Sequence, residues 1–124
     1  MLKKVYTEKA PEAIGPYSQA VICQNLVFTS GQIAINPLSG AVEAETIEEQ
    51  TEQVCKNLSE ILKASGSDIS KVIKTVCYLS DMENFAKFNE VYAKYFTLKP
   101  ARSCVAVKTL PKNVLVEVDA VAEI

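Results

Sequence analysis

Val114-Leu115-Val116-Glu117-Val118-Asp119-Ala120-Val121-Ala122 alternates with a period of two. Successive side chains of a strand point to opposite faces. Val114, Val116, Val118, Ala120 and Ala122 therefore make one uniformly apolar face. Leu115, Glu117, Asp119, Val121 and Glu123 make the other, which mixes apolar and charged groups. Such a strand belongs to a sheet covered on one side, and the cover must come from elsewhere in the chain.

Two helical patterns supply it. Thr46-Ile47-Glu48-Glu49 has the form of a capping box, with Thr46 at the N-cap and Glu49 three residues on. Behind it Ile47, Thr51, Val54, Leu58, Ile61 and Leu62 recur at helical spacing. Glu45, Glu48, Glu49 and Glu52 crowd the end where the helix dipole favours negative charge, and Gly66 provides a stop. Asp81 is the expected cap of a second helix, whose apolar face is Phe85, Phe88, Tyr92, Tyr95 and Phe96. Core packing against a sheet is the simplest reading of that aromatic stripe. Pro100 ends the helical region, because the residue before a proline avoids helical angles.

Further strands surround these helices. Val21–Cys23 and Leu26–Ile33 flank Gln24-Asn25, a hairpin signal, and Asn36-Pro37-Leu38-Ser39-Gly40 is a turn-rich loop. Val72–Leu79 is rich in β-branched residues, and Ala101–Val107 precedes the Leu110-Pro111-Lys112-Asn113 loop. The order is β-β-α-β-α-β-β, and Lys4–Tyr6 is compatible with a short extra strand. This is an α+β layout, an antiparallel-rich sheet with two helices on one face. No repeat, linker or low-complexity segment divides residues 1–124, so one domain is expected.

Alternation along Ala101–Val107 places Ser103, Val105 and Val107 with the helices. Arg102, Cys104 and Ala106 then share the uncovered face with Glu117. Two helices cover one side only, so a second subunit is the simplest cover for the other. An Arg and a Glu at the edge of such an interface gain specificity and shifted pKa values. The plainer reading is a cross-strand ion pair.

Composition limits the chemistry. The 124 residues are 48% hydrophobic with net charge −2, and Lys3-Lys4 is the densest positive cluster. Nucleic-acid backbones are held by clustered Lys and Arg, so no nucleic-acid partner is expected. No window approaches ~18 apolar residues, and charges return at Glu8 and Lys9 without a signal-peptide core. No membrane association and a cytoplasmic location are the corresponding expectations. Cys23, Cys55, Cys77 and Cys104 include no Cys-x-x-Cys pair, and the chain has no histidine. Structural zinc is not expected, the cysteines read as free thiols, and a Ser-His-Asp or Cys-His unit cannot form. Any general acid or base must be Asp, Glu, Lys, Tyr or Cys.

Several segments taken in order resemble a known family. They are Ala13-Ile14-Gly15-Pro16-Tyr17-Ser18-Gln19-Ala20, Thr29-Ser30-Gly31-Gln32-Ile33 and Phe85-Ala86-Lys87-Phe88-Asn89-Glu90-Val91-Tyr92. Lys99-Pro100-Ala101-Arg102-Ser103-Cys104-Val105, Leu110-Pro111-Lys112 and Val114-Leu115-Val116-Glu117-Val118 complete the set. The whole chain resembles the reactive-intermediate deaminase (RidA, or YjgF) family. The Pro-Ala-Arg-Ser-Cys segment followed by the Val-Glu-Val strand is the most specific part.

The resemblance implies a chorismate-mutase-like fold and a homotrimer whose sheets form a central barrel, with ligand clefts between subunits. It implies hydrolysis of 2-iminobutanoate, 2-iminopropanoate and their enamines, released by pyridoxal-phosphate dehydratases, to 2-oxo acids and ammonia. No cofactor and no metal are implied. Arg102 would clasp the substrate carboxylate with its planar fork, and Glu117 would handle the attacking water. Ser30 and the backbone at Gly31 would help hold the substrate, and Cys104 would line the cleft through its backbone. Tyr17, from the adjacent subunit, and Asn89 match positions near the same site.

Each role has a plainer rival. Ser30 suits a hydrogen bond beside a turn, Tyr17 packing at a bend, and Asn89 the fastening of a loop. Cys104 has no histidine base to make it a nucleophile. Ala34 and Ala106 stand where many relatives carry proline and glutamate, and neither change removes a residue the chemistry needs. A carboxylate clasp would equally serve a non-catalytic module that binds a 2-oxo acid and regulates a partner.

Overall fold

The computed structural model describes residues 2–124. A six-stranded sheet has the order β1-β2-β3-β8-β6-β7. Its members are β1 (Leu2–Val5), β2 (Ala20–Cys23), β3 (Leu26–Thr29), β6 (Val72–Leu79), β7 (Ala101–Ala106) and β8 (Val116–Glu123). A small hairpin, β4 (Ile35–Asn36) and β5 (Ala41–Val42), stands apart. Neighbours in the large sheet are antiparallel except β6 and β7, which are parallel and joined through a helix.

α1 (Ile47–Ala64) begins at the expected capping box. Thr46 accepts from the Glu49 N–H, and the Glu49 carboxylate accepts from the Thr46 N–H. Such a cap stabilises a helix by about 1 kcal/mol. Its Val54, Leu58, Ile61 and Leu62 are fully buried against β8 and β3. Asp81 caps a 3-10 turn, Met82–Asn84, that runs straight into α2 (Phe85–Tyr95), rather than capping α2 itself. The chain has turned before the α-helix starts, and Asn84 makes no side-chain cap.

The face assignment of β8 holds. Val116, Val118, Ala120 and Ala122 are buried beneath the helices, while Glu117, Asp119 and Val121 are half-buried on the open side. The assignment of β7 is reversed. Arg102 registers with Thr75, and Thr75 with Ala120; Cys104 registers with Cys77, and Cys77 with Val118. Register partners share a face, so Arg102 and Cys104 lie on the helix side. Val105, across Tyr78 from Glu117, lies on the open side at 47% exposure. β7 is an edge strand, and its apolar residues do not mark its buried face.

Two other expectations change. The segment Leu26–Ile33 is not one strand. Pairing with β8 stops at Phe28, and only a single bridge from Gln32 to Val118 follows. The first strand is Leu2–Val5 rather than Lys4–Tyr6. No helix among the described residues is long and apolar enough to cross a membrane.

Buried amides pin the irregular segments. Gln19 donates to the carbonyls of Thr7 (3.0 Å) and Pro11 (2.8 Å) and accepts from the Thr7 N–H (2.7 Å). Asn57 of α1 donates to the carbonyls of Ile33 and Ile35. Gln50 accepts from the Leu115 N–H and donates to the Ala44 carbonyl. The loops beside Glu117 thus have their backbone polar groups satisfied by the core.

Candidate functional site

Arg102 is the second residue of β7 and meets the face of α2 that carries Phe85, Asn89 and Tyr92. Its Nη1 donates to Asn89 Oδ1 at 2.7 Å. Its guanidinium carbon lies 5.5 Å from the Phe85 ring centroid and 4.9 Å from that of Tyr92. Ring quadrupoles attract a cation at these distances. Tyr92 is held in turn by Thr75, whose hydroxyl is 2.7 Å from the Tyr92 hydroxyl. The aromatic stripe that reads as core packing therefore also cradles the arginine. A polar residue at the same helical spacing, Asn89, was the signal for it.

No carboxylate comes within 4 Å of Arg102 among the described residues. Among the described residues Asn89 takes one of its five donors, and the other four have no protein partner. A cavity of about 300 Å3 opens beside it, lined by Asn89, Tyr92, Phe96, Lys99, Pro100 and Arg102.

Glu117 stands in a different cleft, of about 110 Å3, with Tyr17, Gly31, Gln19, Pro111 and Glu12. Burial, and next the neighbouring Asp119 charge, raise the Glu117 carboxyl above the usual carboxylate range. Asp119 is raised by its own burial, partly offset by the Tyr78 hydroxyl. At Gly31 the backbone runs directly against the Glu117 side chain. A Cβ there would stand 2.3 Å from Glu117 Oε2.

The remaining candidates divide as follows. Tyr17 is 53% exposed and lines the Glu117 cleft of its own chain. Ser30 donates its hydroxyl to the Ser18 carbonyl at 2.5 Å and its N–H to the Gln19 carbonyl at 2.9 Å, joining the two loops of that cleft. Cys104 packs against the core. Burial raises its thiol, with Arg102 opposing, so it stays protonated at neutral pH. Ser30 and Cys104 line neither cavity. Gln19 was missed as a site residue, although a lone amide just before an apolar strand was its signal. No cluster of three potential metal ligands occurs among the described residues.

One sheet thus carries an arginine without an ion-pair partner among the described residues on its helix side and a raised carboxyl on its open side, in separate cavities. That combination defines a small α+β protein with its two candidate site groups on opposite faces of one sheet. Residues 7–124 match the family described as Endoribonuclease L-PSP, and the chain belongs to this YjgF/RidA family.

The chain is 52% identical over 119 residues to Reactive Intermediate Deaminase A, chloroplastic, of Arabidopsis thaliana. That match covers 95% of this chain and 64% of the plant protein. It is 51% identical over 124 residues to AldR of Lactococcus lactis, a protein named for a suggested regulatory role. That match covers 99% of this chain and 98% of AldR. The crystal structure of Escherichia coli TdcF with bound serine superposes with a TM-score of 0.93 at 39% identity, covering 98% of each chain.

Proposed function

We propose that this protein hydrolyses 2-imino acids and their enamines, with 2-iminobutanoate and 2-iminopropanoate as substrates, to 2-oxo acids and ammonia. The site is a cleft between copies of a homotrimer. The observation that carries the reading is Arg102, fixed by Asn89 and two rings and lacking any ion pair among the described residues. A guanidinium so held is pre-organised for a planar carboxylate. The name of the plant relative and the serine bound to TdcF support the same class of ligand.

Glu117 lies on the opposite face of its own sheet from Arg102. A cleft using both therefore draws Arg102 and Asn89 from one copy, and Glu117, Tyr17, Ser30 and Gly31 from another. Cys104 serves it through the β7 backbone. Glu117 takes a proton from water as the oxygen bonds to the imine carbon, and the nitrogen gains a proton. As the C–N bond of the tetrahedral intermediate breaks, its hydroxyl passes its proton through Glu117 to the departing nitrogen and becomes the carbonyl, and ammonia leaves. One water is consumed per ammonia. A carboxyl with a raised pKa suits both accepting the proton and returning it.

The test generates 2-iminobutanoate in situ with a threonine dehydratase and follows 2-oxobutanoate release. The protein accelerates release, and Arg102→Ala loses roughly a hundredfold or more of that activity. Wild-type turnover in Arg102→Ala would sink the assignment.

The regulatory name of AldR favours one second reading, a non-catalytic module that binds a 2-oxo acid. Binding without turnover by the purified protein would select it. RNA cleavage, which the family description names, is not part of the proposal. Net charge is −2 and no basic run offers a phosphate track.

A further inference from the structure

The cavity beside Arg102 contains a second cation. Lys99 lines it with Arg102, and no Asp or Glu of the same copy does. Neither cation has an ion-pair partner among the described residues.

The backbone under Lys99 is unusual. Its φ is 54°, in the left-handed region, and its N–H donates to the Phe96 carbonyl at 3.2 Å. Such a conformation costs a residue with a Cβ about 1–2 kcal/mol and persists where the surroundings impose it. The following Pro100 disfavours the ordinary helical alternative. Charge compensation at the end of α2 does not require Lys99, since Lys94 already sits in the last turn.

Tyr92 and Phe96 line the same cavity and give it an apolar wall. About 300 Å3 holds roughly ten water-sized groups. A short monocarboxylate fills only part of it.

We propose that Lys99 is a second anion contact and that the cavity selects dicarboxylates. Arg102 takes the carboxylate beside the reacting carbon, Lys99 takes a distal carboxylate, and Tyr92 and Phe96 flank the hydrocarbon between them. The ligand class is the 2-imino and 2-oxo dicarboxylic acids. The inference rests on the deaminase reading for its chemistry, but its binding claim is tested without turnover.

Calorimetric titration at low ionic strength compares 2-oxoglutarate with 2-oxobutanoate on the intact protein. The dicarboxylate binds about tenfold tighter to the wild type, the scale of one well-placed charge-assisted contact. Lys99→Met brings the ratio of the two dissociation constants close to one, and Lys99→Arg preserves it. All three side chains make the same demand on the backbone, so strain does not distinguish them. The wild-type preference also shrinks as salt is added. A ratio near one in the wild type, or a preference that survives Lys99→Met, overturns the proposal. An intact, Lys99-dependent preference with no imine turnover supports the cavity assignment and overturns only the deaminase reading.

Discussion

At Gly31 the Glu117 carboxylate occupies the space that any side chain would need. A Cβ there would lie 2.8 Å from Glu117 Cδ as well as 2.3 Å from Oε2. Gly31 is absent from the positive-φ glycines, so alanine meets a steric obstacle and no backbone strain. The flexible carboxylate gives way first. Gly31→Ala is expected to cut imine turnover roughly a hundredfold, as a displacement of about 1 Å does, while stability changes by less than about 1 kcal/mol. Kinetics and thermal melts on the same preparation check this.

Glu117 gives a pH prediction with a definite sign. Its pKa is raised in the fold, first by burial and then by Asp119. The carboxyl thus contributes no penalty below its unfolded pKa, and the fold loses stability as pH rises through the folded value. Glu117→Gln removes that loss. The variant should melt above the wild type at pH 7, and the gap should narrow at pH 4. Calorimetric melts at the two values decide it. A gap that is constant with pH would mean that Glu117 titrates as if in water.

Arg102 and Glu117 stand out in the sequence through the family resemblance, since strand alternation alone reads equally as a cross-strand ion pair. What surrounds them is not announced. Phe85 and Tyr92 read as core from their spacing alone, and their contact with Arg102 follows from pairing across β6.

Among the elements, α1 does more than cover the sheet. Asn57, 1% exposed, donates to the carbonyls of Ile33 (3.2 Å) and Ile35 (3.0 Å) and accepts from Gln53 at 2.9 Å. Asn57→Leu would take a buried donor from both carbonyls beside the Glu117 cleft, of which Ile33 keeps the Ile35 N–H at 2.8 Å. The expected loss is about 2–3 kcal/mol, with the 31–36 segment exchanging its amide hydrogens faster than the rest of the sheet. Denaturant unfolding and hydrogen exchange measure the two effects.

The helices were legible because capping and spacing are local, as Thr46, Glu49 and the Val54-Leu58-Ile61 series show. Val72–Leu79 was legible to the residue. The break after Thr29 was not, since Ser30 and Gly31 leave the ladder to meet Gln19 and Glu117, which lie far off in sequence. The face of β7 also escaped. Parallel pairing to β6 sets it, while the apolar Val105 suggests the opposite.

On the scale of the molecule, the sheet has one saturated side and one side that mixes Phe28, Val105, Val121 and Tyr78 with Glu117 and Asp119. The back-to-back placement of Arg102 and Glu117 has a statistical consequence in the proposed trimer. Each copy would lend its arginine to one cleft and its carboxyl to another, so defects in the two residues need not fall in the same cleft. Arg102→Ala and Glu117→Gln, each inactive alone, should complement when refolded together in equal amounts. Half of the arginine contributions and half of the carboxyl contributions are then intact, and independent assortment leaves roughly one quarter of the clefts whole. Recovery near a quarter of wild-type turnover would mark the two residues as partners in different chains, and no recovery at all would place them in one.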